Sequence, residues 1–310
     1  MKKIIKELYD IDIEIMIKLS STVYKIKAKN EEYILKYLDD VDDLEASYSR
    51  LELLNLSSFS IPLKNIYDQY ISIYNDKKFQ ISPYYFDETI QAKDIRLKFF
   101  LKELALLHSK SHYYIKVNDG FFKETYDFIY EQVEEAKKEL DNILFQIEAL
   151  DYKPPSAWLL LMNNQLFYKA IDEVKSHIDK FQDLTKELAK LRVSLIYQNF
   201  DYSHIIIKSK KIIGTQKLTI APSIYDIKYL FDSSFAGSID LSGFIEEYFN
   251  NFNLLEYEKE WLLGLLFIPS FNFKALEGYK EIEAIVAITR SIQHFKNAFE
   301  LASFLTKDEG

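Results

Sequence analysis

The periodicity of this chain predicts an α+β fold, a small sheet lobe followed by a larger, mostly helical lobe. Three observations carry that reading. The first third alternates apolar and polar residues with a period of two, as half-buried strands do. The remainder repeats apolar residues at intervals of three and four, as helices do. The change of character falls just after Pro83.

Taken in order, Ile11–Lys18, Thr22–Lys27 and Tyr33–Leu38 alternate and read as three antiparallel strands. Ser20-Ser21 and the Lys29–Glu32 segment supply the turns between them. Asp39–Asp43 offers acidic capping residues, and Leu44, Tyr48, Leu51 and Leu54 then recur at helical spacing, ending near Ser57-Ser58. Two more strands are expected at Asn65–Tyr74 and Lys78–Tyr84, with Asp76-Lys77 at the turn. Residues 1–86 thus form a sheet lobe of about five strands with one inserted helix, and a hinge is placed at 84–90.

Residues 87–310 read as the helical lobe. Ile95–Lys110 is a buried helix. Phe121–Leu150 is a long helix with a Glu/Lys-rich outer face, broken by Pro154-Pro155. Trp158–Lys169 and Ala170–Leu191 read as two further helices. Short strands are expected at Val193–Tyr197, His204–Ile207 and Lys211–Ile213, with helices again over 240–305.

Composition narrows the function. Hydrophobic residues at 48% and aromatics at 15% can build a substantial core. Most of the tyrosine and phenylalanine belongs to that core, although exposed aromatics also suit adhesion and interfaces. The net charge of −9 is spread along the chain, and arginine occurs only at 50, 96, 192 and 290. That opposes binding to nucleic acid or an anionic membrane, which needs clustered cations. With no cysteine, disulfides and thiolate metal sites are excluded. The charged start Met1–Glu7 is no signal peptide, and the apolar run Trp261–Pro269 is too short to span a bilayer. A cytoplasmic protein is expected. The first glycine is Gly120, so the sheet lobe carries no glycine-rich phosphate loop.

Four motifs then occur in order. They are Leu104-Ala-Leu-Leu-His108, Tyr197-Gln198-Asn199 followed by His204, Pro222-Ser-Ile-Tyr-Asp226, and Leu265-Leu-Phe-Ile-Pro269 with Tyr279 beyond it. Together with the lysine inside the third strand, Lys36, they resemble the aminoglycoside and choline phosphotransferase superfamily of kinase-like folds. Within it, the chain is most similar to the spore-coat kinase-like proteins of endospore-forming Firmicutes. The resemblance implies a two-lobed protein-kinase-like fold and a site for phosphoryl transfer.

Phosphoryl transfer uses a carboxylate to orient and deprotonate the acceptor, carboxylate and amide oxygens to hold Mg²⁺, and a lysine against the phosphates. The resemblance places the base at Asn199, whose amide cannot usefully take a proton at neutral pH. It places one metal ligand at His204, a nitrogen donor poorly matched to Mg²⁺, and another at Gly214, twelve residues before Asp226. Between Tyr202 and Tyr225 there is no Asp or Glu at all. Asp201 reads as a loop cap, with a relocated base as its alternative. Lys36 is either the phosphate lysine or a lysine on a solvated strand face. Glu45 and Glu52 share one helix face, and either could pair with it. His108, at a helix end, and Asp226, at a helix start, are expected to be architectural.

These readings converge on a catalytically degenerate kinase-like protein, a pseudokinase with a structural or assembly role in the spore coat of a mother cell. Other proteins, coat components among them, are the expected partners. No cofactor is expected, and ATP without Mg²⁺ is the alternative. An active ATP-dependent phosphotransferase acting on a hydroxyl acceptor is the competing function.

Overall fold

The computed structural model describes residues 1–39, 43–87, 93–234, 241–269 and 280–306. The chain divides into two compact units, Met1–Tyr113 with Val193–Ser223 and Tyr114–Arg192 with Ile224–Gly310. The hinge expected at 84–90 falls partly outside the described residues, as do the 270–279 stretch and part of the acidic cap after Asp39.

In the first unit, α1 (Lys2–Tyr9) precedes β1 (Ile13–Lys18), β2 (Val23–Ala28) and β3 (Glu32–Leu38). Then come α2 (Leu44–Leu53), β4 (Ser72–Tyr74) and β5 (Lys77–Pro83). The five strands form an antiparallel sheet in the order β1-β2-β3-β5-β4. One face buries Ile26, Tyr33, Leu35, Phe79 and Ile81 beneath Ile5 of α1 and Ile11. Because side chains alternate across a strand, the opposite face carries Val23, Ile34, Lys36, Gln80 and Ser82. The β4–β5 turn places Asn75 (φ 49°) and Asp76 (φ 60°) in the left-handed region, which suits the twist of a two-residue hairpin.

Three expectations for this unit are corrected. The strand foreseen over Asn65–Tyr74 forms only at 72–74. Its first half is a turn in which the Asn65 side chain accepts from the amides of Tyr67 (2.9 Å) and Gln69 (3.2 Å), a local hydrogen bond that competes with strand pairing. The inserted helix stops at Leu53, before Asn55 enters the left-handed region (φ 51°). Helix α1 was not foreseen, although Ile4, Ile5 and Leu8 recur at helical spacing.

The first unit also contains α3 (Lys93–Ser111), the inner end of β7 (Lys190–Ile196), β8 (Ile205–Ile206), β9 (Lys211–Ile212) and β10 (Thr219–Ala221). β10 pairs antiparallel with β7, Thr219 facing Ile196. The loop between β7 and β8 rests on a ring cluster. Phe100 packs on Tyr197 (5.6 Å) and Phe200 (4.9 Å), and Phe59 on Tyr197 (6.1 Å). Arg96, buried in α3, donates to the carbonyls of Tyr202 (2.8 Å) and Ile205 (3.1 Å) and pairs with Asp87 (2.7 Å). That loop is therefore held from below at two points.

The second unit is helical. It contains α4 (Phe121–Glu148), α5 (Pro155–Thr185), α6 (Ile224–Ser234), α7 (Ser242–Phe249), α8 (Glu256–Leu266) and α9 (Glu281–Thr306). Helix α5 is central and packs on α4, α8 and α9. The two helices expected over 158–191 are one helix, starting with Pro155 at its first turn, where a missing N–H costs nothing. Its expected end is strand instead, since Lys190 and Leu191 open β7. The short strand β6 (Tyr113–Lys116) was also not foreseen. Among the described residues, no helix is long and apolar enough to cross a membrane.

Candidate functional site

Alternation along β3 turns Lys36 away from the apolar core and into a cavity of about 250 Å³ within the first unit. Val23, Ile34, Tyr84 and Tyr85 give it apolar and aromatic walls, and His204, Gly214 and Gln216 close one end. Lys25 sits 3.7 Å from the centre of the Tyr84 ring and pairs with Glu32 (2.8 Å), fixing that wall. Burial, with the nearby Lys217 adding to it, lowers the Lys36 pKa below the usual lysine value.

Neither expected glutamate meets Lys36. Glu45 and Glu52 do share a face of α2, but that face looks onto the 64–71 segment. Glu45 accepts from the amides of Tyr70 (3.2 Å) and Ile71 (2.7 Å). Glu52 accepts from the Tyr70 hydroxyl (2.8 Å) and pairs with Lys64 (2.9 Å). The α2 residue facing the sheet's cavity side is Tyr48, fully buried, whose hydroxyl donates to Gln80 Oε1 (2.9 Å). Gln80 is the cross-strand neighbour of Lys36. The groups of α2 and β5 beside Lys36 are thus a neutral tyrosine and glutamine bonded to each other, and no glutamate of α2 reaches the lysine.

Lys36 instead rests on an amide. With the Gln216 side chain oriented so that both its ends are satisfied, Oε1 accepts from Lys36 Nζ (3.0 Å) and from Asn199 Nδ2 (2.9 Å), and Nε2 donates to the Gly214 carbonyl (3.2 Å). Asn199 Nδ2 also donates to that carbonyl (2.6 Å). His204 Nδ1 lies 2.8 Å from the Asn199 carbonyl, and a carbonyl can only accept, so the ring carries its hydrogen on Nδ1. The Tyr197 hydroxyl, 3.3 Å from the same nitrogen, donates to the Ile213 carbonyl (2.5 Å). Burial, ahead of the nearby cations Lys36 and Lys217, lowers the His204 pKa and keeps the ring neutral at pH 7.

Positions 199, 204, 214 and 216 thus share one hydrogen-bonded network, which Lys36 joins through Gln216. Gly214 makes it possible. Its φ of +79° lies in the left-handed region, and a Cβ there would meet His204 Nδ1 at 2.8 Å and Asn199 Nδ2 at 2.9 Å. No anionic oxygen belongs to the network. Mg²⁺ prefers an octahedron of oxygens, several of them anionic, which a neutral imidazole nitrogen and a neutral carboxamide match poorly. Among the described residues, no three His, Asp or Glu side chains converge on a common point.

Asp201 lies outside this network. Its Oδ1 accepts from the amide (2.8 Å) and hydroxyl (2.5 Å) of Ser203, and these bonds hold the carboxyl below its usual pKa, which weakens it as a base. His108 is fully buried in the last turn of α3, and Asp226 is buried in the first turn of α6. Sequence reasoning did not single out Gln216, Tyr48 or Lys217. The available signal was the absence of acids after Asp201, which invited the question of what neutral groups fill the space.

The chain matches no protein-family model and no curated protein. It is similar in structure to an aminoglycoside phosphotransferase from Alicyclobacillus acidocaldarius subsp. acidocaldarius, at 10% identity over 96% of this chain and 92% of that one, with a TM-score of 0.68. It is also similar to spectinomycin phosphotransferase in its AMP-bound complex, at 14% identity over 96% of each chain and a TM-score of 0.57. A GDP complex of an aminoglycoside 2'-phosphotransferase-IIIa mutant gives 14% identity, 97% of each chain and a TM-score of 0.50. The fold is therefore kinase-like, of the aminoglycoside phosphotransferase type.

Proposed function

We propose that this protein is a pseudokinase, a kinase-like scaffold without phosphoryl-transfer chemistry that serves a structural or assembly role. One observation carries the reading: the groups at the base and metal positions, Asn199, His204 and Gly214, are neutral and are joined to one another through Asn199 Nδ2, His204 Nδ1 and the Asn199 and Gly214 carbonyls. A catalytic base and charge neutralisation by metal are separate contributions to rate, the first alone about 10²–10⁴-fold, and here both lack their residue. The resemblance of the four sequence motifs to spore-coat kinase-like proteins supports a place in the coat formed by a mother cell, with other coat proteins as partners.

No cofactor is needed for that role. The nucleotides bound by two of the similar structures, AMP and GDP, support one residual capacity, ATP held by Lys36 and the aromatic walls without metal. Thermal-shift titration with ATP, run with Mg²⁺ and again with a chelator, tests the proposal. The two series are expected to coincide, whether flat or shifted. Ligand at one hundred times its dissociation constant stabilises by about 2.7 kcal/mol, so binding of use to the protein would be visible. A shift that requires Mg²⁺, accompanied by ATP turnover, would instead establish an active phosphotransferase.

A further inference from the structure

We propose that two copies of this chain associate through strand β1, antiparallel and about a twofold axis at Met16. In the five-stranded sheet β1 is an edge, bonded to β2 alone. Its residues Ile15 (51% exposed) and Ile17 (42%), with Leu19 (56%) just beyond it, form an apolar row at a spacing of two. Edge strands in monomers are usually blunted, because their open N–H and C=O groups template further pairing.

The bonding pattern shows which groups are open. The Leu19 amide donates to the Val23 carbonyl (2.9 Å), so alternation directs the amides and carbonyls of Ile17 and Ile15 toward β2 as well. Those of Met16 and Lys18 face outward. The regular ladder begins at Ile15, since the register shifts between Ile13 and Ile15 and Glu14 lies in that bulge; its carbonyl accepts from the exposed Lys2 Nζ (2.7 Å), and its side chain is what it brings to the pairing with a second copy.

The sequence of β1 is self-complementary about Met16. In that register Ile15 opposes Ile17 of the second copy, Glu14 opposes Lys18, and the twofold axis repeats both pairs. Met16 exchanges backbone hydrogen bonds with its own counterpart. A slip of one residue sets Ile15 against Lys18 or Glu14 against Ile17, so charge and apolar matching are lost together. Opposite charges and apolar side chains directly across a strand pair each stabilise it, and like charges oppose it. An interface in which the same patch meets itself is the commonest form of homodimer.

Sedimentation equilibrium on the full chain tests this with a charge exchange. The wild-type protein is expected to dimerise. Glu14→Lys and Lys18→Glu, each setting like charges face to face twice, are expected to weaken the dimer by about tenfold or more. The double variant Glu14→Lys/Lys18→Glu, which restores both pairs in reverse, is expected to recover it. Because the chain has no cysteine, Met16→Cys gives an independent reading: a short bismaleimide is expected to join two copies covalently. Four results would overturn the proposal. They are a wild type still monomeric at about 0.1 mM, which sets its dissociation constant well above that concentration, single reversals that dimerise like wild type, a double variant that stays dissociated, and Met16→Cys that remains a monomer.

Discussion

Gly214→Asp, which returns a carboxylate to the position where the kinase-like resemblance expects a magnesium ligand, is expected to destabilise the protein and to confer no activity. The reason is local. At φ +79° a side chain is strained, costing about 1–2 kcal/mol for a residue other than glycine. The new Cβ would also press on His204 Nδ1 at 2.8 Å and Asn199 Nδ2 at 2.9 Å, and both are packed by the network they belong to. If those two side chains move, their bonds to the Asn199 and Gly214 carbonyls go with them, at about 1 kcal/mol each. A total loss of about 2–4 kcal/mol follows, read as a lowered midpoint in urea unfolding at unchanged slope. Gly214→Ala is expected to lose nearly as much, because the cost comes from the backbone and the Cβ rather than from the charge. An aspartate variant as stable as wild type would mean that the loop is free to open, and the network would lose its meaning.

The largest effect on stability is expected in the second unit, at Glu258. This carboxylate is 1% exposed and accepts from Arg192 through Nε (2.9 Å) and Nη2, and from the Leu255 amide at the start of α8 (2.9 Å). Arg192 is itself buried, lies 4.7 Å from the centre of the Phe252 ring and donates to the Asn253 carbonyl (2.9 Å). Glu258→Ala removes the counter-charge and leaves the guanidinium enclosed, a change that costs about 3–5 kcal/mol in buried pairs. Removing both charges with apolar side chains of similar volume, Arg192→Met with Glu258→Leu, is expected to recover most of that loss, since desolvating the pair offsets much of its attraction. Urea unfolding of the two single variants and the double variant checks both statements as a mutant cycle. A small loss in Glu258→Ala would show that water reaches Arg192.

Much of the fold is written in the periodicity. The five-stranded sheet and the long helix from Phe121 announce themselves because each buries one face over many residues. The short pieces do not. β6 has four residues and β10 three, too few for alternation to separate them from loop. The 31-residue helix α5 appeared as two because its apolar residues face several neighbouring helices, which blurs a single stripe. At the site, the identity of each residue was legible and its partner was not. Glu45 and Glu52 could be placed on one face of a helix, yet only the tertiary fold decides that this face meets Lys64 and Tyr70 rather than Lys36. Gln216 carries no signal alone. Its role depends on Gly214 turning the chain so that one amide reaches both Lys36 and Asn199.

Manganese tests the central claim most directly, because Mn²⁺ shares with Mg²⁺ a preference for oxygen ligands and broadens the resonances of nearby nuclei. Titrating Mn²⁺-ATP into isotopically labelled protein is expected to leave the backbone amide signals of Asn199, His204 and Gly214 as sharp as they are with diamagnetic Mg²⁺-ATP. Selective loss of those three signals at stoichiometric metal would place the ion among them and contradict the account.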